Sequence, residues 1–299
     1  MTGFGALIKR NIKLFFKDKG MFFTSLITPI ILLVLYATFL ANVYRDTFVA
    51  TIPAGMPFDE ALIDGAVGGQ LLSSLLAVCC VTVSFCSNFL MVQDKVTGTR
   101  NDLMMTPVKR SVMAFAYYVS SALATLIICY VAMGACFLYL AKNGWYLSGL
   151  DVVSLILDVF LLVMFGTALS SVINHFLRTQ GQISAVGSIV SAGYGFICGA
   201  YMPISQFGET LRNVVSLFPG TYGSALVRNH AMRGAFAAME GQGVPAEAID
   251  AMRRAVDCKI EFFGQVVSES AMYAVLGSCV LALVVVFVLL TKFVQTEKK

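Results

Sequence analysis

The sequence predicts an all-α integral membrane protein: six transmembrane helices, an amphipathic interfacial helix at the N-terminus, and re-entrant helices before the last span. Three observations carry that expectation. Hydrophobic residues make up 58% of the 299 positions and charged residues 13%, with mean hydropathy +0.80, whereas soluble domains carry about 25% charged residues. Several apolar runs reach 20 residues or more, so lipid must be the main solvent. The basic residues gather between particular runs, as a charge-sorted topology requires.

Lys9, Arg10, Lys13, Lys17 and Lys19 fall in the first stretch, where Phe4, Leu7, Ile8, Ile12 and Phe15 recur at helical spacing. This predicts an amphipathic helix at 1–20 with its cationic face toward headgroups. The following run, Met21 to Val43, is 23 residues. That exceeds the about 7–15 of a signal core, so it is expected to stay as a span. Spans are drawn at 21–43, 67–92, 112–141, 151–174, 183–203 and 269–292, each long enough for ~30 Å of hydrocarbon at ~1.5 Å per residue. The 112–141 run is overlong and must tilt or project.

With a cytoplasmic N-terminus, segments 1–20, 93–111, 175–182 and 292–299 lie inside and hold 13 of the 21 basic residues. The acids inside are only Asp18, Asp94, Asp102 and Glu297. Both termini are then cytoplasmic. Seven cysteines (Cys79, Cys80, Cys86, Cys129, Cys136, Cys198 and Cys279) lie in apolar runs, where they act as small hydrophobes; Cys258 lies in a polar stretch. No Cys-x-x-Cys occurs and the only histidines are His175 and His230, so no metal site is expected.

Outside, loop 44–66 is acidic (Asp46, Asp59, Glu60, Asp64), 142–150 is short, and 204–268 is long. Pro203 cannot continue a helix. Ile204, Phe207, Leu211, Val214, Val215 and Phe218 then form an apolar stripe, Pro219-Gly220 breaks it, and a second helix is expected from Thr221. Both pieces look too short to span and too apolar for a free loop, so re-entrant half-helices are expected. Pro245 opens a further helix, with Ile249, Met252, Val256, Ile260 and Phe263 as its apolar face, as an external cap over 245–263.

The inner loop 93–111 holds Lys95, Arg100, Lys109 and Arg110 with Asp94 and Asp102. Thr99 is expected to cap a short helix that includes Asp102 and Leu103-Met104-Met105, ended by Pro107. A short charged helix with an exposed apolar patch suits a docking surface. This loop resembles the coupling-helix region of type-2 ABC exporter permeases, the transmembrane subunits of the ABC drug/polysaccharide exporter family. That family has an acidic residue, Gly-Thr, a leucine-rich turn and Thr-Pro or Ser-Pro, matched here by Asp94, Gly98-Thr99, Leu103 and Thr106-Pro107. Asp94 stands where the family often has Glu. The stretch Tyr194 to Pro203, followed by Phe218-Pro219, is similar to the family's fifth span with its Gly-rich end, re-entrant pair and second proline.

The resemblance implies a homodimer, or a heterodimer with a related permease, in a bacterial cytoplasmic membrane. It would carry two copies of a cytoplasmic ABC ATPase subunit and engage no nucleic acid. ATP and Mg would be bound by that partner and no cofactor by this chain, which has no Gly-x-x-x-x-Gly-Lys-Ser/Thr loop and is expected not to be an enzyme. The implied docking residues are Arg10, Lys13, Asp94, Lys95, Gly98, Thr99, Arg100, Asp102, Thr106 and Pro107. The implied translocation path and outer gate comprise Gly195, Phe196, Gly199, Tyr201, Pro203, Phe218, Pro219 and Tyr222. The exported substrate would be a drug, peptide, lipid or glycan.

Gly187, Ser191, Gly195 and Gly199 form a small-residue stripe that serves either packing within the chain or a path or partner protomer. Asp158 lies inside the fourth span, where a carboxylate costs ~2.5–3.5 kcal/mol and must face protein or water. It could pair with an outer arginine, stay protonated, or relay a proton, the last favouring a secondary transporter or channel. Arg228, Arg233, Arg253 and Arg254 are expected to balance Glu240, Glu247, Asp250 and Asp257 at the surface. One intramembrane acid and no inverted repeat favour the ABC reading, and two histidines on opposite sides of the membrane argue against a membrane enzyme.

Overall fold

The computed structural model describes residues 2–53 and 59–293. Loop residues 54–58 and tail residues 294–299, parts of the expected outer and inner segments, lie outside the described residues. The chain begins with α1 (Thr2–Lys17), whose Asn11 and Phe15 are buried while Lys9, Lys13 and Lys17 are exposed. Asp18 ends it and caps α2 (Lys19–Leu35) by accepting from the Met21 N–H at 3.0 Å. A π turn (Tyr36–Leu40) joins α2 to α3 (Ala41–Thr51) as a continuous rod of 33 residues.

The loop expected over 44–66 is shorter than that. α3 runs to Thr51, and α4 (Glu60–Asn88) starts at the Asp59 cap. The acidic cluster there is not free: Arg45 bonds Glu60 at 2.7 Å and also Asp64, zipping α3 to α4. α4 is buried along its length and touches α2 and the later helices α7 (Arg110–Asn143), α8 (Gly149–Phe176), α9 (Gln180–Ile197) and α11 (Pro219–Gly241). A helix apolar on every face belongs in the middle of a bundle. Close approach to it needs glycine: a Cβ on Gly69 would stand 2.7 Å from the Ala231 carbonyl of α11.

After α5 (Leu90–Val96) and α6 (Thr99–Met104), α7 (Arg110–Asn143) runs for 34 residues, about 51 Å at 1.5 Å per residue, so it is overlong for the bilayer as expected. Capping boxes start the next two helices: Ser148 with Asp151 for α8 (Gly149–Phe176), and Thr179 with Gln182 for α9 (Gln180–Ile197). α13 (Glu269–Phe293) closes the bundle against α8 and α11.

Among the described residues, five helical segments are long and apolar enough to cross a membrane: Lys19–Thr51, Glu60–Val96, Arg110–Asn143, Gly149–Phe176 and Glu269–Thr291. They coincide with five of the expected spans. α9 is not among them: at 18 residues it stops at Ile197, before the expected end at 203, and Gln180, Gln182 and its Gly and Ser residues dilute its apolar content.

Hydroxyl and amide groups stitch α4 to α7 and α8. Asn88 donates to Ser170 at 3.0 Å and to Ser171 at 2.8 Å, and Ser87 meets Ser121 and Thr125. Where water is absent such bonds hold helices together.

The outer segment differs most from expectation. The 204–218 stripe is not one helix but a 3-10 turn (Ile204–Gln206) followed by α10 (Glu209–Val215). Leu211, Val214 and Phe218 are exposed, while Ile204 and Val215 join a small core with Tyr222, Leu226, Ile260 and Met272. α11 (Pro219–Gly241) is 23 residues, longer than the short piece expected, and starts on Pro219 itself; a first-turn proline suits a helix because its missing N–H is not needed there.

The expected 245–263 helix is only α12 (Ala246–Ala255). Asp257 (φ +56°) turns the chain away, and a hairpin, β1 (Glu261–Phe262) and β2 (Gln265–Val266), follows. Its two turn residues, Phe263 and Gly264, have positive φ, as a tight two-residue hairpin requires. Ile249, Met252, Val256 and Ile260 are buried as expected, but Phe263 is exposed at the tip.

Candidate functional site

Two regions hold the residues singled out in the sequence. At the end of the bundle formed by α1, α5 and α6, Arg10 Nη1 donates to Asp94 Oδ2 at 2.8 Å and Arg10 Nη2 to Asp94 Oδ1 at 3.0 Å. Tyr117 of α7 donates its hydroxyl to the same carboxylate. Asp94 is buried, and its pairing with Arg10 holds that guanidinium above its ordinary pKa against the opposing effect of burial. A parallel two-bonded pair fixes direction as well as distance. Asp94 therefore ties α1, α5 and α7 together rather than facing outward.

Lys95 also points inward. Its Nζ donates to the carbonyls of Asn174, His175 and Leu177 at 3.0, 2.9 and 3.3 Å, capping the C-terminus of α8, where a cation is favoured. Gly98, not Thr99, is the N-cap of α6; its φ of +81° lets the chain turn sharply, and Thr99 is the first helical residue. Arg100 is half-buried, while Lys13, Asp102, Thr106 and Pro107 are exposed, and Met105 is 87% exposed. The Thr106 hydroxyl bonds the Leu103 carbonyl at 2.6 Å and closes the turn. The residues expected to dock thus divide into an internal tie (Arg10, Asp94, Lys95) and an outward tip (Asp102, Thr106, Pro107), with Lys13 on the exposed face of α1.

At the other end, α11 runs antiparallel to α8. Its first turn lies beside the middle of that helix, where a Cβ on Gly220 would meet Phe165 and Tyr194, and further on Arg233 Nε pairs with Asp151 Oδ1 at 3.0 Å near the start of α8. Between these points His230 Nδ1 lies 2.6 Å from Asp158 Oδ2, and Tyr273 of α13 donates to the other carboxylate oxygen. The partner of Asp158 is therefore a histidine and a tyrosine, not an outer arginine. Asp158 and His230 are both buried.

Arg228 and Asp257, expected at the surface, are buried instead. Arg228 Nη2 donates to the Cys198 and Gly199 carbonyls at 3.2 Å each, covering the C-terminal end of α9. Asp257 accepts the Ile204 and Ser205 N–H groups at 2.6 and 2.9 Å. Burial pushes the Asp257 carboxyl up in pKa, and Arg228, 3.9 Å away, pulls it back. Arg254 does balance Asp250 and Glu261 at the surface, and Arg253 lies over the Phe236 ring.

The residues expected at an outer gate gather where α9 leads into α11 without forming one face. Gly195 is covered by the Tyr201 ring, which also stands edge-on to Phe196 at 5.2 Å. Gly199, Pro203 and Tyr222 are buried, with the Tyr222 hydroxyl on the Ser216 carbonyl at 2.6 Å. Phe196 and Phe218 are exposed, and Pro219 is half-buried between them and the core. Of the small-residue stripe, Gly187 packs on Phe89, Gly195 on Tyr201, and Gly199 on Asp257, so these three serve packing within the chain. Ser191 lines a groove of about 560 Å³ between α2, α4 and α9, with Thr24, Ser184 and Ser188.

Long apolar helices and an amphipathic helix tied to a short turn define a multi-pass helical membrane protein. Residues 2–230 match the pattern of the ABC-2 type transporter family, and the chain belongs to that family. No curated protein matches it. The chain is thus the membrane permease component of an ABC transporter, a family that is generally not catalytic itself and normally partners an ATPase subunit.

Proposed function

We propose that this chain is the transmembrane subunit of an exporter driven by ATP hydrolysis on a separate cytoplasmic ABC ATPase, with two copies of that ATPase on a permease homodimer. A heterodimer with a related permease would use the same surfaces. The carrying observation is the Arg10–Asp94–Tyr117 tie. It makes α1, the α5–α6 turn and the start of α7 one body, so force applied to the exposed tip at Asp102, Met105, Thr106 and Pro107 reaches the long helices. Gly98, Thr99 and Arg100 shape that tip, Lys95 anchors it to α8, and Lys13 adds charge beside it. The excess of Lys and Arg at this end supports a cytoplasmic placement of both termini in a bacterial plasma membrane.

In the same reading α9 is the sixth crossing: 18 residues make about 27 Å at 1.5 Å per residue. α10 and α11 are re-entrant, since α11 starts beside the middle of α8. Phe196 and Phe218 present the apolar rim of an outer gate, held by Gly195, Gly199, Tyr201, Pro203, Pro219 and Tyr222 behind them. The groove between α2 and α9 faces the path or the second protomer. The cargo belongs to the drug, peptide, lipid or glycan classes.

The alternative, a secondary transporter working through Asp158, draws on the buried Asp158–His230 pair. Both carboxylate oxygens are already taken by His230 and Tyr273, which fits a pin between α8, α11 and α13 better than a relay. The test is affinity purification of the tagged chain from native membranes, with subunit stoichiometry by mass spectrometry. A phosphate-loop ATPase at one copy per permease, lost on alteration of the 102–107 tip, supports the proposal. A chain that purifies without any ATPase overturns it.

A further inference from the structure

A cleft of about 520 Å³ opens at the α6 end of the bundle, and its polar lining is cationic: Lys95, Arg100, Arg110 and Arg178, with His175 and Asn101. Among the described residues no carboxylate lines it. Among the described residues, Arg100, Arg110 and Arg178 take part in no ion pair, in contrast to the arginines of the outer segment. Like charges gathered without a counterion repel, so the arrangement favours an anion between them. Burial, with the neighbouring Arg110, lowers the Arg100 pKa, as expected for a cation facing other cations in a partly dry site.

The cleft is not polar throughout. Phe176, 60% exposed, stands at its mouth. A narrower pocket of about 60 Å³, sharing Lys95, Arg100, Arg110 and His175, continues to Met91, Met113 and Phe287 and has room for the first methylene groups beneath a headgroup. A ligand that fits both parts carries negative charge at one end and hydrocarbon at the other. Basic pockets between spans at the cytoplasmic surface suit anionic lipid headgroups.

We infer that this cleft binds the headgroup of an anionic phospholipid of the inner leaflet, its phosphate between Arg100, Arg110 and Arg178 and its acyl chain toward Met113 and Phe287. The bound lipid joins the α6 turn to the ends of α7 and α8 and neutralises the cluster. The inference rests on the proposed cytoplasmic placement of this end.

The test is lipid binding to the purified, delipidated chain without any ATPase, read by native mass spectrometry with phosphatidylglycerol, phosphatidylcholine or inorganic phosphate. Phosphatidylglycerol is expected to bind in preference to both and to raise the melting temperature. Arg110→Gln and Arg178→Gln should each weaken it roughly fivefold. Arg110→Lys with Arg178→Lys keeps the charge and should keep most of the binding, which separates charge from fold. Equal binding of the two lipids overturns the inference, as does undiminished phosphatidylglycerol binding by both Gln variants. Inorganic phosphate binding as well as the lipid would assign the site to a free anion instead. Gln variants that keep lipid here but lose the ATPase in the affinity purification described above would overturn the inference and assign the cations to that partner. Because the assay needs neither ATPase nor transport, its failure leaves the docking proposal untouched.

Discussion

Arg10 and Asp94, 84 positions apart, meet in a two-bonded pair that fastens the N-terminal amphipathic helix to the turn after α4. Removing Arg10 leaves a buried carboxylate with Tyr117 alone. Breaking a buried pair costs ~3–5 kcal/mol, and the partial exposure of Arg10 trims that to about 2–3 kcal/mol for Arg10→Ala. Asp94→Arg should be worse, because two guanidinium groups would face each other. The exchange Arg10→Asp with Asp94→Arg should recover part of the loss. Thermal unfolding in detergent, read as a double-mutant cycle, checks the coupling; additive losses would show that the pair carries no weight.

Asp158 is held by His230 and Tyr273. As a structural pin it tolerates Asp158→Asn, which keeps hydrogen-bonding atoms in place, so export should persist at neutral pH. His230→Ala strands the buried carboxylate and should lower stability by about 3 kcal/mol. The double change Asp158→Ala with His230→Ala should cost less than the sum of the singles. Loss of export in Asp158→Asn, with the protein still folded, would point to a proton relay. Reconstituted transport and melting temperature separate these outcomes.

Gly199 has φ +68°, and a Cβ there would stand 2.7 Å from Asp257 Oδ2. Gly199→Ala should cost about 1–3 kcal/mol from the backbone alone and disturb the Arg228 contacts as well. Gly134 offers the opposite sign. It lies exposed in α7 with nothing near its Cβ position, so Gly134→Ala should stabilise by about 0.5–1 kcal/mol. Paired melting curves check both signs.

Lys95 caps three carbonyls at the end of α8. Lys95→Met keeps the stem but removes the charge and should cost up to about 2 kcal/mol. Faster hydrogen exchange in the last turn of α8, with α9 unchanged, would locate the effect.

The long helices were legible because apolar run length is set by lipid thickness, and five of the expected spans coincide with long helices. Their ends were less so. α3 and α4 extend past the apolar runs because Arg45 pays for Glu60 and Asp64, a cross-helix pair that hydropathy cannot see. Ser148 with Asp151 and Thr179 with Gln182 are visible capping boxes and could have placed the starts of α8 and α9. The helix expected over 245–263 stops at Ala255 because Asp257 reverses the chain, although Val256 and Ile260 keep helical spacing. At the α6 end the motif was readable, but not which way each residue faces: Asp94 and Lys95 turn inward because a neighbouring helix supplies a cation or carbonyls, whereas Thr106 and Pro107 have no such partner among the described residues. Asp158 lacked a visible partner in its apolar run, and that need was the available signal for a polar partner elsewhere; His230, beside Arg228, Asn229 and Arg233, gave no such sign.

The most direct measurement is photocrosslinking in native membranes from a benzoylphenylalanine placed at position 105, with the same probe at position 263 as control. Met105 lies on the α6 turn and Phe263 on the outer hairpin, and both are exposed. The α6 turn as ATPase dock predicts one dominant adduct from position 105 to a phosphate-loop ATPase and none to that protein from 263. No ATPase adduct from 105, or one from 263, would contradict it.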